Sequence, residues 1–401
     1  METTAEVKTT SQRRPDLDWL RVLVVLMLIP FHTAMTFAPY PWYLRNDETN
    51  LATMALIAVL DQYHMELLFL IAGAATWFSL GVRSWSTYLL ERLKRLVVPL
   101  IFGMLILVPP CYWVVARHFY GYDDSFLQWY KDFVLNRTLP FRGDFAAGAL
   151  WFLWYLVFYT FPLMPFFLLI HRKWKDNLIP RLAAFFEKRG AIFLLVIPIA
   201  LVEIYSTRVI TGDFKIFYYV LFFVYGFFLF SSLRFQRGID KSGPIALFFA
   251  AATITLYMLL VFPDWRQAIL GPAFWTRFRG EPGTWGFIMF RILISFTTWF
   301  SIIGILYLAR KFLNFSNRFL RYGNDAVLPY YIIHSTPIAL IGLYVVQWNM
   351  DVLPKYVINT ILAFIATAVI YELVKRLNVT RFLFGMRLRK KPAREESPAA
   401  Q

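Results

Sequence analysis

Apolar runs long enough to cross a bilayer recur along the whole chain, and this pattern restricts the possible folds more than any other feature. A hydrocarbon layer of roughly 30 Å takes about 20 helical residues to cross. Ten candidate runs cover approximately residues 17–37, 51–80, 96–116, 148–170, 191–209, 216–232, 244–262, 285–308, 326–347 and 356–374. Their Leu, Phe and Ala content suits helices, and none alternates apolar with polar residues as a membrane-barrel strand does. Only 16% of the 401 residues are charged, against about a quarter in a soluble domain. The expected fold class is therefore all-α, a polytopic integral membrane protein of about ten transmembrane helices.

Orientation follows from where the positive charge falls, because short cytoplasmic loops retain Lys and Arg. Of the 41 Lys and Arg, 28 lie in the N-terminal arm, the connections 81–95, 171–190, 233–243 and 309–325, and the tail from Lys375. The alternate loops hold 11, and Arg21 and Arg291 sit inside predicted helices. Both termini are thus expected on the cytoplasmic side. The net charge of +16 is accounted for by this bias and by anionic lipid headgroups, so the bilayer is the expected partner and no nucleic acid is needed. Residues 1–16 read as a polar cytoplasmic arm, 17–385 as the transmembrane domain and 386–401 as a charged tail of disordered composition. A lone cysteine, Cys111, excludes an intramolecular disulfide and a multi-cysteine metal site.

Ionisable groups at membrane depth are costly, so they are the candidates for chemistry. The first run, LDWLRVLVVLMLIPFHTAMTF, places Arg21 and His32 eleven residues apart, which is three helical turns plus about 20° and about 16 Å along one face. They serve either as a snorkelling arginine and a histidine bonded to a neighbouring helix, or as two functional groups on a face that links both sides of the membrane. In the second run, Glu66 either points into a polar cavity near His32 or is a neutral acid tied to one partner; Ala72, Gly73, Ala74 and Ala75 beyond it permit close helix approach. Arg92 and Arg95, three apart before the third run, suit either the phosphates of a cytosolic donor or anchorage at the interface. In RYGNDAVLPYYIIHSTPI, Asn324 or Asp325 is a possible helix cap, and Tyr330, Tyr331 and His334 are pore-lining candidates or structural groups. Glu203 and Arg291 also fall within predicted helices, without an assigned role.

Two H-x4-D spacings, His118 with Asp123 and His171 with Asp176, are of a kind that arises by chance. The sequence has no G-x-S-x-G elbow, Walker A loop, G-x-G-x-x-G fingerprint or H-E-x-x-H zinc motif, which removes the usual support for hydrolase, ATPase, dehydrogenase and zincin chemistry.

The Arg21-x10-His32 spacing, FLIAGAATWF at 69–78, Arg92-x-x-Arg95 followed by Pro99, and YGNDAVLPYYIIH at 322–334 together resemble the acyltransferase-3 family of membrane acyltransferases. The wording is most similar to the branch of periplasmic-glucan succinyltransferases, and the resemblance spans roughly residues 16–385. It implies transfer of an acetyl or succinyl group from acyl-CoA, a co-substrate with no bound cofactor and no metal, to a hydroxyl of a periplasmic or cell-surface carbohydrate. It further implies a catalytic His32, a supporting Arg21 and a donor-binding pair in Arg92 and Arg95. Apart from the resemblance, the place of Glu66 in the second run makes it the catalytic candidate for orienting the imidazole. Ala72 departs from the family, which commonly has serine there. The competing reading is a transporter exporting a glycan or lipid-linked sugar, with His32, Glu66 and Arg291 as coupling residues.

Overall fold

The computed structural model describes residues 14–40, 42–133, 147–209, 215–262 and 283–389. The arm up to residue 13 and the tail from residue 390 lie outside the described residues. Among those described, helices dominate and there are no strands. The first helix, α1 (Pro15–Thr36), starts on a proline with Asp16 and Asp18 in its first turn, where the missing N–H costs nothing and negative charge meets the positive helix end. The second run is broken into α2 (Leu51–Leu60) and α3 (His64–Leu80), with Asn50 capping the Ala52 N–H at 2.8 Å.

Next come α4 (Trp85–Arg92), a π-helical turn over Leu93–Val97, α5 (Val98–Ile106), α6 (Val108–Tyr120) and α7 (Phe126–Phe133). Beyond them lie α8 (Trp151–Leu169), α9 (Leu178–Phe186), α10 (Val196–Val209), α11 (Ile216–Leu229), α12 (Leu233–Val261) and α13 (Trp285–Phe312). The chain continues through α14 (Arg318–Ile333), α15 (Ser335–Val345), α16 (Val352–Val374) and α17 (Asn378–Leu383).

Each of the ten apolar runs coincides with a helix or a helix pair. Seven of these are long and apolar enough to cross a membrane, and α14 with α15, bent by 54° at His334, makes an eighth if counted as one span. The remaining two, Ala191–Tyr205 and Ile216–Leu229, are shorter; α11, at 14 residues, reaches about 21 Å.

In lipid, helices associate through close packing rather than through exclusion of water, and small residues decide where backbones touch. A Cβ on Gly73 would stand 1.9 Å from the Phe223 carbonyl oxygen, and one on Gly226 would stand 1.8 Å from that of Leu70. α3 and α11 therefore meet backbone to backbone, as the small-residue run in α3 suggests. Around this crossing Phe69, Phe167, Phe222, Phe223 and Phe227 are fully buried. The outermost helices show the opposite pattern: Phe248 and Leu256 of α12 and Ile361 and Ile365 of α16 are exposed on faces that acyl chains would cover.

Candidate active site

Arg21 and His32 share α1 but occupy different surroundings. Arg21 Nη2 donates to Asp18 Oδ1 at 2.9 Å and to Asn324 Oδ1 at 2.6 Å, which ties α1 to α14. Asn324 is thus engaged in the site and is not the helix cap; Asn317 holds the cap, accepting from the Leu320 N–H at 2.8 Å.

A cavity of about 790 Å³ opens beside Arg21, and its rim is strongly positive. Arg92 and Arg95 line it together with Arg83, Arg321, Arg381 and Arg387, so seven arginines face three acids, Asp18, Glu91 and Asp325. Arg92 Nε donates to the Tyr88 hydroxyl at 3.0 Å, and Arg95 Nε to the Gly385 carbonyl at 3.1 Å. The π turn that starts just after Arg92 and contains Arg95 adds a residue to the helical repeat, a departure common at functional sites. Farther in, the walls become apolar, formed by Val25, Leu68, Ile71, Leu153 and Leu156. Ala72 lies on this wall, and Phe152 and Tyr331 also line the cavity.

His334 follows Tyr331 by one turn, at the bend between α14 and α15. Its Nδ1 lies 2.6 Å from the Tyr331 carbonyl oxygen, and its Nε2 lies 3.1 Å from Nδ1 of His32. His334 is 1% exposed, whereas His32 keeps partial exposure. The indole of Trp42 stacks on the His32 ring with centroids 4.4 Å apart and planes 11° from parallel, and Phe31 meets it edge-on at 5.1 Å. Trp42 lies outside the apolar runs and His334 is distant in sequence, so neither contact had a local signal.

Further sequence expectations differ from the geometry. Glu66 is buried but does not reach His32: His334 holds that place, while the charges around Glu66 are Asp61, Lys215 and Glu203. The turn that aims His64 toward Phe31, at 4.4 Å between rings, sends Glu66 about 200° away around α3. Of the three pore-lining candidates Tyr331 is on the cavity wall, whereas Tyr330 packs on Tyr371 at 5.6 Å and His334 bonds to His32 instead. Among the described residues no group of three or more His, Cys, Asp or Glu is arranged to hold a metal ion.

An all-helical membrane fold with a hydrogen-bonded histidine pair and a cavity that is positive at its rim and apolar within defines a multi-pass membrane acyltransferase once the comparisons are added. The chain belongs to the acyltransferase-3 family, whose model, described as an acyltransferase domain, matches residues 14–372. Glucans biosynthesis protein C of Escherichia coli O1:K1 / APEC is 20% identical over 404 residues, covering 97% of this chain and 98% of the relative. The proteins of the same name from Escherichia coli strains SMS-3-5 / SECEC and K12 / DH10B are each 21% identical over 398 residues, with the same coverage. No solved structure matches the chain.

Proposed function

We propose that this enzyme moves an acetyl or succinyl group from cytosolic acyl-CoA to a hydroxyl of an extracytoplasmic glycan, with His32 as the general base. The observation that carries this reading is the cavity, which runs from a rim of seven arginines to Tyr331, one turn from the residue bonded to His32. Guanidinium groups match the phosphates of CoA, and the apolar walls beyond them match a pantetheine arm. A glycan acceptor is supported by the relatives, which are named glucans biosynthesis protein C.

In this reaction the hydroxyl oxygen bonds to the thioester carbonyl carbon while its proton passes to His32; the C–S bond breaks, and the proton leaves with the CoA thiolate. Base catalysis of this type contributes about 10² to 10⁴-fold. Arg21, about 16 Å from His32 along α1, serves the donor passage and not the reacting carbonyl.

The test is acyl transfer to glucan in membranes, normalised to enzyme abundance. His32→Ala and His32→Gln are expected to insert normally and to leave the glucan unmodified, because neither side chain takes up the hydroxyl proton near neutral pH. Near-wild-type turnover in His32→Ala would sink the mechanism. Replacing Arg92 and Arg95 together with Gln is expected to raise KM for acyl-CoA at least about tenfold, since each charge-assisted bond contributes about 1.5–3 kcal/mol. An unchanged KM would return the pair to interfacial anchorage.

A further inference from the structure

Tyr331, His334 and His32 form a hydrogen-bonded series in which each group leaves its neighbour one available role. A carbonyl oxygen only accepts, so the 2.6 Å contact to Tyr331 requires a proton on Nδ1 of His334. A neutral imidazole carries one N–H, so Nε2 of His334 holds a lone pair and accepts. The proton in the 3.1 Å bond between the rings then belongs to Nδ1 of His32. The Leu28 carbonyl, one turn earlier on α1, also lies against this ring.

We infer that His334 is a positioning residue that fixes His32 as the Nδ1–H tautomer, so that Nε2 of His32 is the nitrogen that receives the acceptor hydroxyl's proton. The inference rests on the reading of His32 as base and adds which nitrogen acts and what holds it. Among the described residues Nε2 of His32 makes no hydrogen bond, and the stack on Trp42 limits rotation of the ring about its long axis. Burial of His334 gives it no direct route to an acceptor, in keeping with action through His32. The 54° bend at this position supplies the geometry, because the ring folds back onto the carbonyl of the residue three before it. After proton uptake, the His32 imidazolium keeps Nδ1–H directed at the His334 lone pair, so nothing has to rotate during the transfer.

Three replacements at His334 in the full-length enzyme test this, assayed with acetyl-CoA and succinyl-CoA as donors and a glucan oligosaccharide as acceptor. His334→Phe keeps a ring but removes the acceptor; kcat is expected to fall about 10² to 10⁴-fold with KM for acyl-CoA within about twofold. His334→Gln carries an amide oxygen to the place of Nε2 and is expected to recover at least about tenfold of that loss, because the oxygen accepts from His32 Nδ1–H. His334→Ala opens a ring-sized space, so added imidazole is expected to raise its rate severalfold and to leave His334→Phe unaffected, a comparison made within one sample and independent of protein yield. Equal impairment of the Phe and Gln variants without imidazole rescue, or near-wild-type kcat in His334→Phe, overturns the inference. Activity in His32→Ala overturns the underlying base assignment instead, so the two failures are distinct.

Discussion

Glu203 is 2% exposed, and its Oε1 meets Arg291 Nη1 at 2.8 Å, with Lys215 Nζ 3.8 Å away. These residues carry membrane-depth charge without touching His32, and their geometry is that of a cross-helix tie between α10 and α13. Taking one partner away strands the other charge, which costs about 3–5 kcal/mol in a buried pair; the partial exposure of Arg291 places this pair near the lower limit. Glu203→Gln is therefore expected to lower the Tm in detergent by several degrees. Glu203→Leu with Arg291→Met is expected to restore most of that loss, because the one cation left, Lys215, is half exposed and no buried charge lacks a partner. A double variant as unstable as the single one would give the pair a role other than neutralising charge. The sequence marked both residues as costly but did not reveal that they pair, since 88 positions separate them. Glu66 carries the same lesson from the other direction. Helical spacing tells which residues share its face of α3, but which neighbouring helix that face meets is a tertiary fact.

The helices themselves were legible because their signal is local: a run of about 20 apolar residues has to satisfy its backbone internally, and in lipid a helix does so within one segment. Their irregularities were less so. The π turn over Leu93–Val97 and the bend at His334 depend on what packs alongside, and both fall at the candidate site. The small residues of α3 were visible as a packing signal, whereas their partner Gly226 sits among aromatic residues and gains meaning only when α11 is laid across α3. Gly226→Ala would drive its Cβ into the Leu70 carbonyl, a contact backbone cannot yield without moving a helix. It is expected to destabilise the protein by at least about 1–3 kcal/mol, the usual cost of overpacking, read as a lower Tm and reduced monodisperse yield. Ala74, also on α3 and fully buried, provides the comparison: Ala74→Gly removes one methyl and is expected to cost less. Equal stability of Gly226→Ala and wild type would mean that the α3–α11 crossing is looser than its geometry indicates.

Across the whole molecule, charge and cavity converge on the same side. Arg83, Arg92 and Arg95 come from the 81–95 connection, Arg321 from 309–325, and Arg381 and Arg387 from the segment after Lys375, all three assigned to the cytoplasm by the distribution of Lys and Arg. The folded chain gathers these three segments around one opening. Acyl-CoA is made in the cytosol, so the donor reading requires this rim to face inward, and orientation becomes a test of function as well as of topology. Single cysteines introduced into a Cys111→Ser background provide the measurement. Asp124→Cys, in the exposed turn between α6 and α7, is expected to react with a membrane-impermeant maleimide added to spheroplasts. Arg189→Cys, exposed between α9 and α10, is expected to react only after the membrane is opened. If Arg189→Cys is labelled from outside and Asp124→Cys is not, the arginine rim faces away from the cytosolic thioester. Donor entry through this cavity is then wrong, whatever the activity of the His32 variants.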